Sequence, residues 1–309
     1  MEEFENVTNE TMENNEDSYL ASLNTPIAQN EPAIEPETPV EPETQNEDVS
    51  QAFAMAWSEN QGGYSEGVAK KTIAFAKNQG LRIKTVLDIC CGSANFLREM
   101  QLNGMQCTGT EILDSYIEYN KAKFKDIEFI KTNDMTDLSG LGTYDLISCN
   151  HDMVNLIPTL EEWGNFFKEV YKHLNNGGVF IFDYYTKRKL QHWNEVTYDE
   201  NEKLDYVRCV SSDGQTQTTI SNIYYININP KSNRNVDAVP DRYDFNDYEN
   251  RYKRTEDTVI EYYFENEDIL NMIKQSGYRY LITTDANFAP VSSISDMNRM
   301  HIIAIKREK

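Results

Sequence analysis

The chain has 309 residues, of which 39% are hydrophobic and 26% charged, and its 51 acidic against 29 basic side chains leave a net charge of −22. That length suits one large domain or an ordinary domain with additions, and that charge argues against general binding of DNA or RNA, which needs clustered Lys and Arg. No run of about 18 apolar residues could cross a bilayer, and no basic-then-apolar leader marks secretion, so a cytoplasmic protein without a membrane or nucleic-acid partner is expected.

The acid is unevenly spread. Residues 1–50 hold 14 Asp and Glu, no Lys or Arg, five of the nine Pro and none of the 14 Gly. Such a stretch cannot bury enough apolar surface to offset its ordering entropy. Residues 1–49 are therefore expected to be a disordered, Pro- and Glu-rich tail, with EPET at 35–38 and again at 41–44. A partner for this tail is left open, as is a homodimer. From residue 51, QAFAMAW and GVAKKTIAFAK repeat at helical spacing, which predicts two helices broken at Gly62-Gly63. TVLDIC (85–90) reads as a buried strand, 95–102 as a helix, 107–110 as a strand, 115–124 as a helix, and 127–131 and YDLISCN (144–150) as strands. An amphipathic helix over 160–174 is expected to stop at Asn175-Asn176-Gly177-Gly178, before the strand VFIFDY (179–184). This alternation predicts a parallel sheet with helices on both faces.

After Tyr185 the period changes to two. LDYVRCV, TTISNIYYINI, NRYKRT and TVIEYYF lie within 203–264, and Asp213-Gly214 makes a hairpin turn between the first two. An inserted antiparallel sheet of three or four strands is expected. Helical spacing returns over 265–276, and 280–284 and HIIAIK (301–306) read as closing strands. The expected fold is α/β: a Rossmann-like, doubly wound, mostly parallel sheet with an antiparallel insertion. Its core spans 50–190, the insertion 191–264 roofs the substrate site, and 265–309 returns to the core. The odd count of Cys (Cys90, Cys91, Cys107, Cys149, Cys209) reads as free thiols in a reducing compartment. CxxC and HExxH are absent, so no metal site is expected.

Ligands of a doubly wound sheet bind beyond the carboxyl ends of its strands, near the switch in strand order. The first strand ends in LDICCGSANF, where Gly92 permits a sharp turn, Ser93, Ala94 and Asn95 are small, and Asn95 can cap the next helix. Glu111, 23 residues after Asp88, ends the second strand and suits a bidentate hold on ribose hydroxyls. Asn133-Asp134-Met135 follows the third: Asp134 can accept from an exocyclic amine and Met135 can pack on a base. Together these describe a nucleoside pocket. His151, at the end of the fourth strand, can take a proton near neutral pH.

This set resembles the class I S-adenosylmethionine-dependent methyltransferases. LDICCGSANF is similar to their LDLGCGTG motif followed by Asn or His, with Cys90 and Ala94 standing where two glycines are common. TGTEIL and TNDMTDL resemble the second and third motifs. CNHDMVNLI resembles CxDDSxNYL of a small-molecule group, with Asp152 and Asn155 matching and His151 and Met153 departing. NNGGVFIFDYYTKRKL and the late QSGY extend the likeness. The resemblance implies S-adenosylmethionine as cofactor, held by Asp88, Cys90, Gly92, Ala94, Asn95, Glu111, Ile112, Asp134, Met135 and Asn150, with Tyr64 closing over it. It implies transfer to nitrogen or oxygen of a small molecule touched by Trp57, Asn155 and Tyr185, with His151 and Asp152 as the catalytic pair. The altered glycines leave an alternative, a cofactor-binding regulatory protein without catalysis. A nicotinamide-dependent oxidoreductase would want G-x-G-x-x-G after the first strand, which CCGSAN lacks.

Overall fold

The computed structural model describes residues 47–200, 204–214, 216–226, 252–291 and 296–307. The segment before residue 47, and with it nearly all of the expected tail, lies outside these. The chain begins with α1 (Glu47–Asn78), then β1 (Thr85–Ile89), α2 (Asn95–Leu102), β2 (Gln106–Glu111), α3 (Asp114–Lys123) and β3 (Glu128–Lys131). Next come β4 (Tyr144–Cys149), a 3₁₀ turn (Met153–Leu156), α4 (Leu160–His173), β5 (Leu174–Tyr185) and the short α5 (Lys187–Leu190). Four insertion strands follow: β6 (Glu195–Glu200), β7 (Leu204–Ser212), β8 (Thr216–Ile226) and β9 (Tyr252–Tyr262). The last elements are α6 (Asn266–Gln275), β10 (Tyr280–Thr284) and β11 (Arg299–Ile305).

The main sheet has the order β10-β11-β5-β4-β1-β2-β3, and β6-β7-β8-β9 form a separate antiparallel sheet. Strands β1 to β5 run parallel, and β11 enters antiparallel to β5. The order reverses between β1 and β4, which places the switch point where β1, β2 and β4 end. Both faces of the sheet are covered, which is why VLDI and VFIF are nearly continuous apolar runs. On one face, α4 turns Trp163, Phe166, Phe167 and Val170 inward at helical spacing. They meet Phe180, Phe182 and Tyr184 of β5 in a core of tilted and edge-on rings. On the other face, Val68, Ala69 and Ile73 of α1 pack with Phe96, Leu97 and Met100 of α2. Thr159 caps α4, its Oγ1 accepting from the Glu162 N–H at 3.2 Å.

Two expectations are corrected. Gly62-Gly63 does not break a helix: α1 runs through both. A glycine inside a helix costs about 1 kcal/mol, and the buried face that starts at Val68 outweighs it. Asn175 to Gly178 are not a loop between helix and strand either. Leu174 already pairs with Tyr144, and the register then jumps to Leu146↔Val179, so the four residues form a bulge within β5. The Asp213-Gly214 hairpin joins β7 and β8 as expected, with Gly214 at φ +89°. Among the described residues, no helix is long and apolar enough to cross a membrane.

Gly109 of β2 touches the loop after β1: a Cβ there would lie 2.7 Å from Cys91 Sγ and 2.9 Å from Leu97 Cδ1. Gly109→Val is expected to cost about 1–3 kcal/mol through overpacking. A urea titration should show this as a lower midpoint with an unchanged slope.

Candidate functional site

The loop after β1 is built from left-handed backbone. Cys90 (φ 55°), Gly92 (φ 50°) and Ala94 (φ 58°) all adopt it, though only one is glycine. A non-glycine residue there carries about 1–2 kcal/mol of strain. The two positions where glycine is replaced therefore keep a glycine-like path. Ala94 is the N-cap of α2 and offers no side-chain acceptor. Asn95 does not cap the helix as expected; its Nδ2 donates to Ser93 Oγ at 2.9 Å. The first amides of α2 are thus left to a polar ligand. Gly92 has open space where a Cβ would project.

Three acidic or amide side chains converge at the switch point. Asp88 is buried, accepts from Ser148 Oγ at 2.7 Å, and is pushed by burial up to about 7. Glu111 is buried too. Its Oε2 accepts the Gly92 N–H at 3.0 Å, and its Oε1 accepts those of Ile112 at 2.7 Å and Leu113 at 3.1 Å. Burial raises its pKa, against the pull of those three amides. Asn150, at the end of β4, is only 5% exposed, and neither its Nδ2 nor its Oδ1 has a partner. Beside them Ile112, Asp134 and Met135 line a groove of about 620 Å³ with Leu138, Ile157 and Phe166. Asp134 is exposed, and its Oδ1 accepts from the Thr136 N–H at 2.8 Å and hydroxyl at 2.9 Å. The Cys90 thiol is raised by burial and by Glu111 and Asp88, so it stays protonated.

The chain then passes through two more left-handed residues, His151 (φ 63°) and Asp152 (φ 54°). His151 Nε2 lies 2.6 Å from Ser65 Oγ, and its ring stands edge-on to Tyr64 with centroids 4.7 Å apart. Burial lowers its pKa below 6.5, so it is neutral at pH 7. Asp152 pairs with Arg299, which also pairs with Asp183. Asp183 is fully buried in β5 and accepts from the Tyr64 hydroxyl at 2.6 Å and from the Asp152 N–H at 3.3 Å. Antiparallel register sets Arg299 opposite Tyr185 and His301 opposite Asp183. The guanidinium of Arg299 lies 3.9 Å from the Tyr185 ring centroid.

Ser65, Asp183, Arg299 and His301 were not among the expected site residues. A carboxylate inside the apolar run VFIFDY was the readable sign for Asp183; Arg299 and His301 sit in what reads as a closing strand. Tyr64 is less a lid than an anchor on Asp183. Asn155 also departs from its expected role: it is fully buried, donates to the carbonyls of Tyr185 at 3.1 Å and Tyr262 at 2.9 Å, and accepts the Tyr185 N–H at 2.9 Å. It joins the ends of β5 and β9 and has no surface for a small molecule. Trp57 lies on α1, outside the stretch whose side chains are described. Among the described residues no His, Cys, Asp or Glu group stands in metal-holding geometry.

Comparison with known proteins gives a consistent placement. Residues 57–282 match a family described as a methyltransferase domain. A Geobacillus protein named as a methyltransferase is 25% identical over 130 residues, 40% of this chain and 52% of its own length. YqeM of Bacillus subtilis, named likewise, is 23% identical over 128 residues. The chain spans about half the length of these curated relatives. An S-adenosylmethionine-dependent methyltransferase from Clostridium acetobutylicum shares the fold at a TM-score of 0.68 and 18% identity, over 84% of this chain and all of that one. A sugar N-methyltransferase from Streptoalloteichus does so at 0.62 and 14%, over 92% of this chain and 100% of that one. An amino pentose methyltransferase from Micromonospora echinaspora gives 0.59 and 14%, over 84% and 96%.

Asp88 gives a stability test. Its folded pKa of about 7 lies above the ordinary 3.8, so it costs stability increasingly as pH rises from about 4 to 7, and fully above that. Asp88→Asn, which keeps an acceptor for Ser148, should raise the melting temperature of the ligand-free protein at pH 8 by about 5 °C or more. The gain should shrink as pH falls towards 5 in thermal melts.

Proposed function

Since the chain belongs to the class I S-adenosylmethionine-dependent methyltransferases, we propose that it transfers a methyl group to a nitrogen or oxygen atom of a small molecule. The observation that carries this reading is Asn150, a buried amide with both polar atoms unpaired at the switch point. Leaving such a group unpaired costs about 1–3 kcal/mol, which a polar ligand across the strand ends would recover. The residues around it fit S-adenosylmethionine. Glu111 would hold the ribose, Asp134 and Met135 the adenine, with Ile112 across the groove from them. Asp88, the first amides of α2 and the turn at Cys90, Gly92, Ala94 and Asn95 would take the charged methionine end.

When bound, the donor supplies a methyl group already activated by its sulfonium. The chain must align an acceptor with it and keep water out, and alignment alone can supply roughly 7–11 kcal/mol of barrier lowering. Asn155 ties the end of β9 to the end of β5, which supports a role of the insertion sheet in covering the acceptor, and the Arg299 guanidinium lies over the Tyr185 ring. His151 is neutral and oriented by Ser65, so it can accept a proton from an acceptor that arrives protonated. Asp152, paired with Arg299, orients rather than abstracts. The sugar and amino pentose methyltransferases among the structural neighbours favour a small polar acceptor as the first class to assay. The five free thiols favour the cytoplasm.

The test is transfer of label from methyl-labelled S-adenosylmethionine. S-adenosylhomocysteine should raise the melting temperature. Glu111→Gln should weaken that ligand roughly ten- to a hundred-fold, because charge-assisted hydrogen bonds are worth about 1.5–3 kcal/mol each. His151→Asn should lower kcat by about a hundred-fold or more while sparing cofactor affinity. The wild-type rate should be flat from pH 7 upwards, with an acid limb centred below 6.5. An unchanged rate in His151→Asn would leave alignment as the whole mechanism. Ligand binding without label transfer to any acceptor would favour the regulatory alternative.

A further inference from the structure

We propose that the inner face of the insertion sheet seats the methyl acceptor and that Glu261, beside Asp152, selects an acceptor that carries a protonated amine. This rests on the methyltransferase reading and specifies its substrate class. Gln217 and Glu261 are register partners across β8 and β9, so both side chains leave the same face. Gln217 also pairs with Ser212 of β7, and the period of two puts Arg208 on that face as well. Tyr263 continues the alternation one residue past β9. This face points inward: Gln217 is 0% and Glu261 6% exposed, while Val196, Tyr198, Ile220 and Ile260 of the other face are open to solvent.

Five polar atoms on this face are buried without a hydrogen-bond partner: Gln217 Nε2 and Oε1, Glu261 Oε1, Tyr263 OH and Arg208 Nε. A packed core does not carry such a set; a surface that receives a polar guest does. Its place is fixed by Asn155, whose bond to the Tyr262 carbonyl at 2.9 Å holds the residue between Glu261 and Tyr263 over the end of β5. Glu261 thereby faces Asp152 and shares a hydrogen bond with it; burial raises both carboxyls, the Asp152 charge raises Glu261 further, and that bond holds Asp152 down.

Charge decides the class of guest. Asp152 and Asp183 share Arg299, and Glu261 is a third carboxyl, with Arg208 acting on it from the sheet. His151 and His301 are held neutral by burial. Three carboxyls against two guanidiniums leave one negative charge, and in the ligand-free protein a proton shared between Glu261 and Asp152 answers it. A hydroxyl cannot take the place of that proton, whereas an ammonium can, donating N–H to both Asp152 and Glu261; one of its protons then passes to neutral His151, and the freed nitrogen forms its bond to the methyl carbon as the donor's S–C bond breaks. Gln217, a donor and an acceptor at once, and the Tyr263 hydroxyl suit hydroxyl or carbonyl groups elsewhere on the same molecule.

The experiment uses the full chain, methyl-labelled S-adenosylmethionine and acceptor pairs that differ only in amino versus hydroxyl at one carbon: aminohexoses with hexoses, amino alcohols with diols. The amine of a pair should be labelled with a kcat/KM about a hundred-fold or more above its hydroxyl partner. Glu261→Gln should raise the amine KM about ten-fold or more, with the S-adenosylhomocysteine melting shift unchanged. Gln217→Ala, with a smaller rise in KM, serves if the first variant melts too low. Label on the hydroxyl members, S-adenosylhomocysteine binding with no amine labelled, or an unchanged amine KM in both variants overturns the proposal. Failure of the wild-type chain to bind S-adenosylhomocysteine would instead overturn the methyltransferase reading.

Discussion

A carboxylate buried at the end of a central strand must be answered by protein groups, since water cannot reach it. Asp183 is that carboxylate, and the answers come from three distant parts of the chain. Tyr64 brings α1, the Asp152 N–H brings the turn after β4, and Arg299 brings the last strand. Arg299 then binds Asp152 in turn, so the strained pair His151-Asp152 is fixed on both sides. Breaking any one bond would leave a buried charge exposed to its neighbours' repulsion. Such a cluster persists only when every member is present at once, and it sets the position of everything at the carboxyl ends of β4 and β5.

The second organising feature is backbone strain gathered at one edge. Among the described residues five non-glycine residues have positive φ, and four of them, Cys90, Ala94, His151 and Asp152, follow β1 or β4. Strain of this kind survives where surrounding structure over-determines it, and it clusters where a ligand must be met at close quarters. Cys90 and Ala94 show that the turn after β1 is held by its neighbours as well as by its own residue types. Glu111 takes part in this, since its carboxylate gathers the amide of Gly92 along with two of its own strand end.

The alternation of strands and helices, the hairpin at Asp213-Gly214 and the strand-end placement of Asp88, Glu111 and Asn150 were all legible in the sequence, because apolar period and turn chemistry are local properties. What was not legible depends on contacts between distant segments. Gly62-Gly63 reads as a break until α1 is given a core to dock on. Asn155 reads as a ligand-facing amide until β9 is laid beside β5. Arg299, His301 and Glu261 look like strand composition, and only the pairing of β11 with β5 and of β9 with β8 turns them towards the site. Asp183 was the exception that could have been found, a lone acid where the run demanded apolar residues.

The place of β11 in the order of synthesis has its own consequence. The parallel strands β1 to β5 emerge early, yet the strand that carries Arg299 and His301 is made more than 100 residues after β5 and inserts beside it. Until then Asp183 has no counter-charge, and α1, more than 200 residues behind, lacks one of the groups that hold Tyr64. The nascent chain can form its open α/β sheet well before it can assemble the centre of its site. Competence for ligand is thus coupled to completion of the sheet, and a protein stalled short of β11 would be folded in part but unable to organise the ends of β4 and β5.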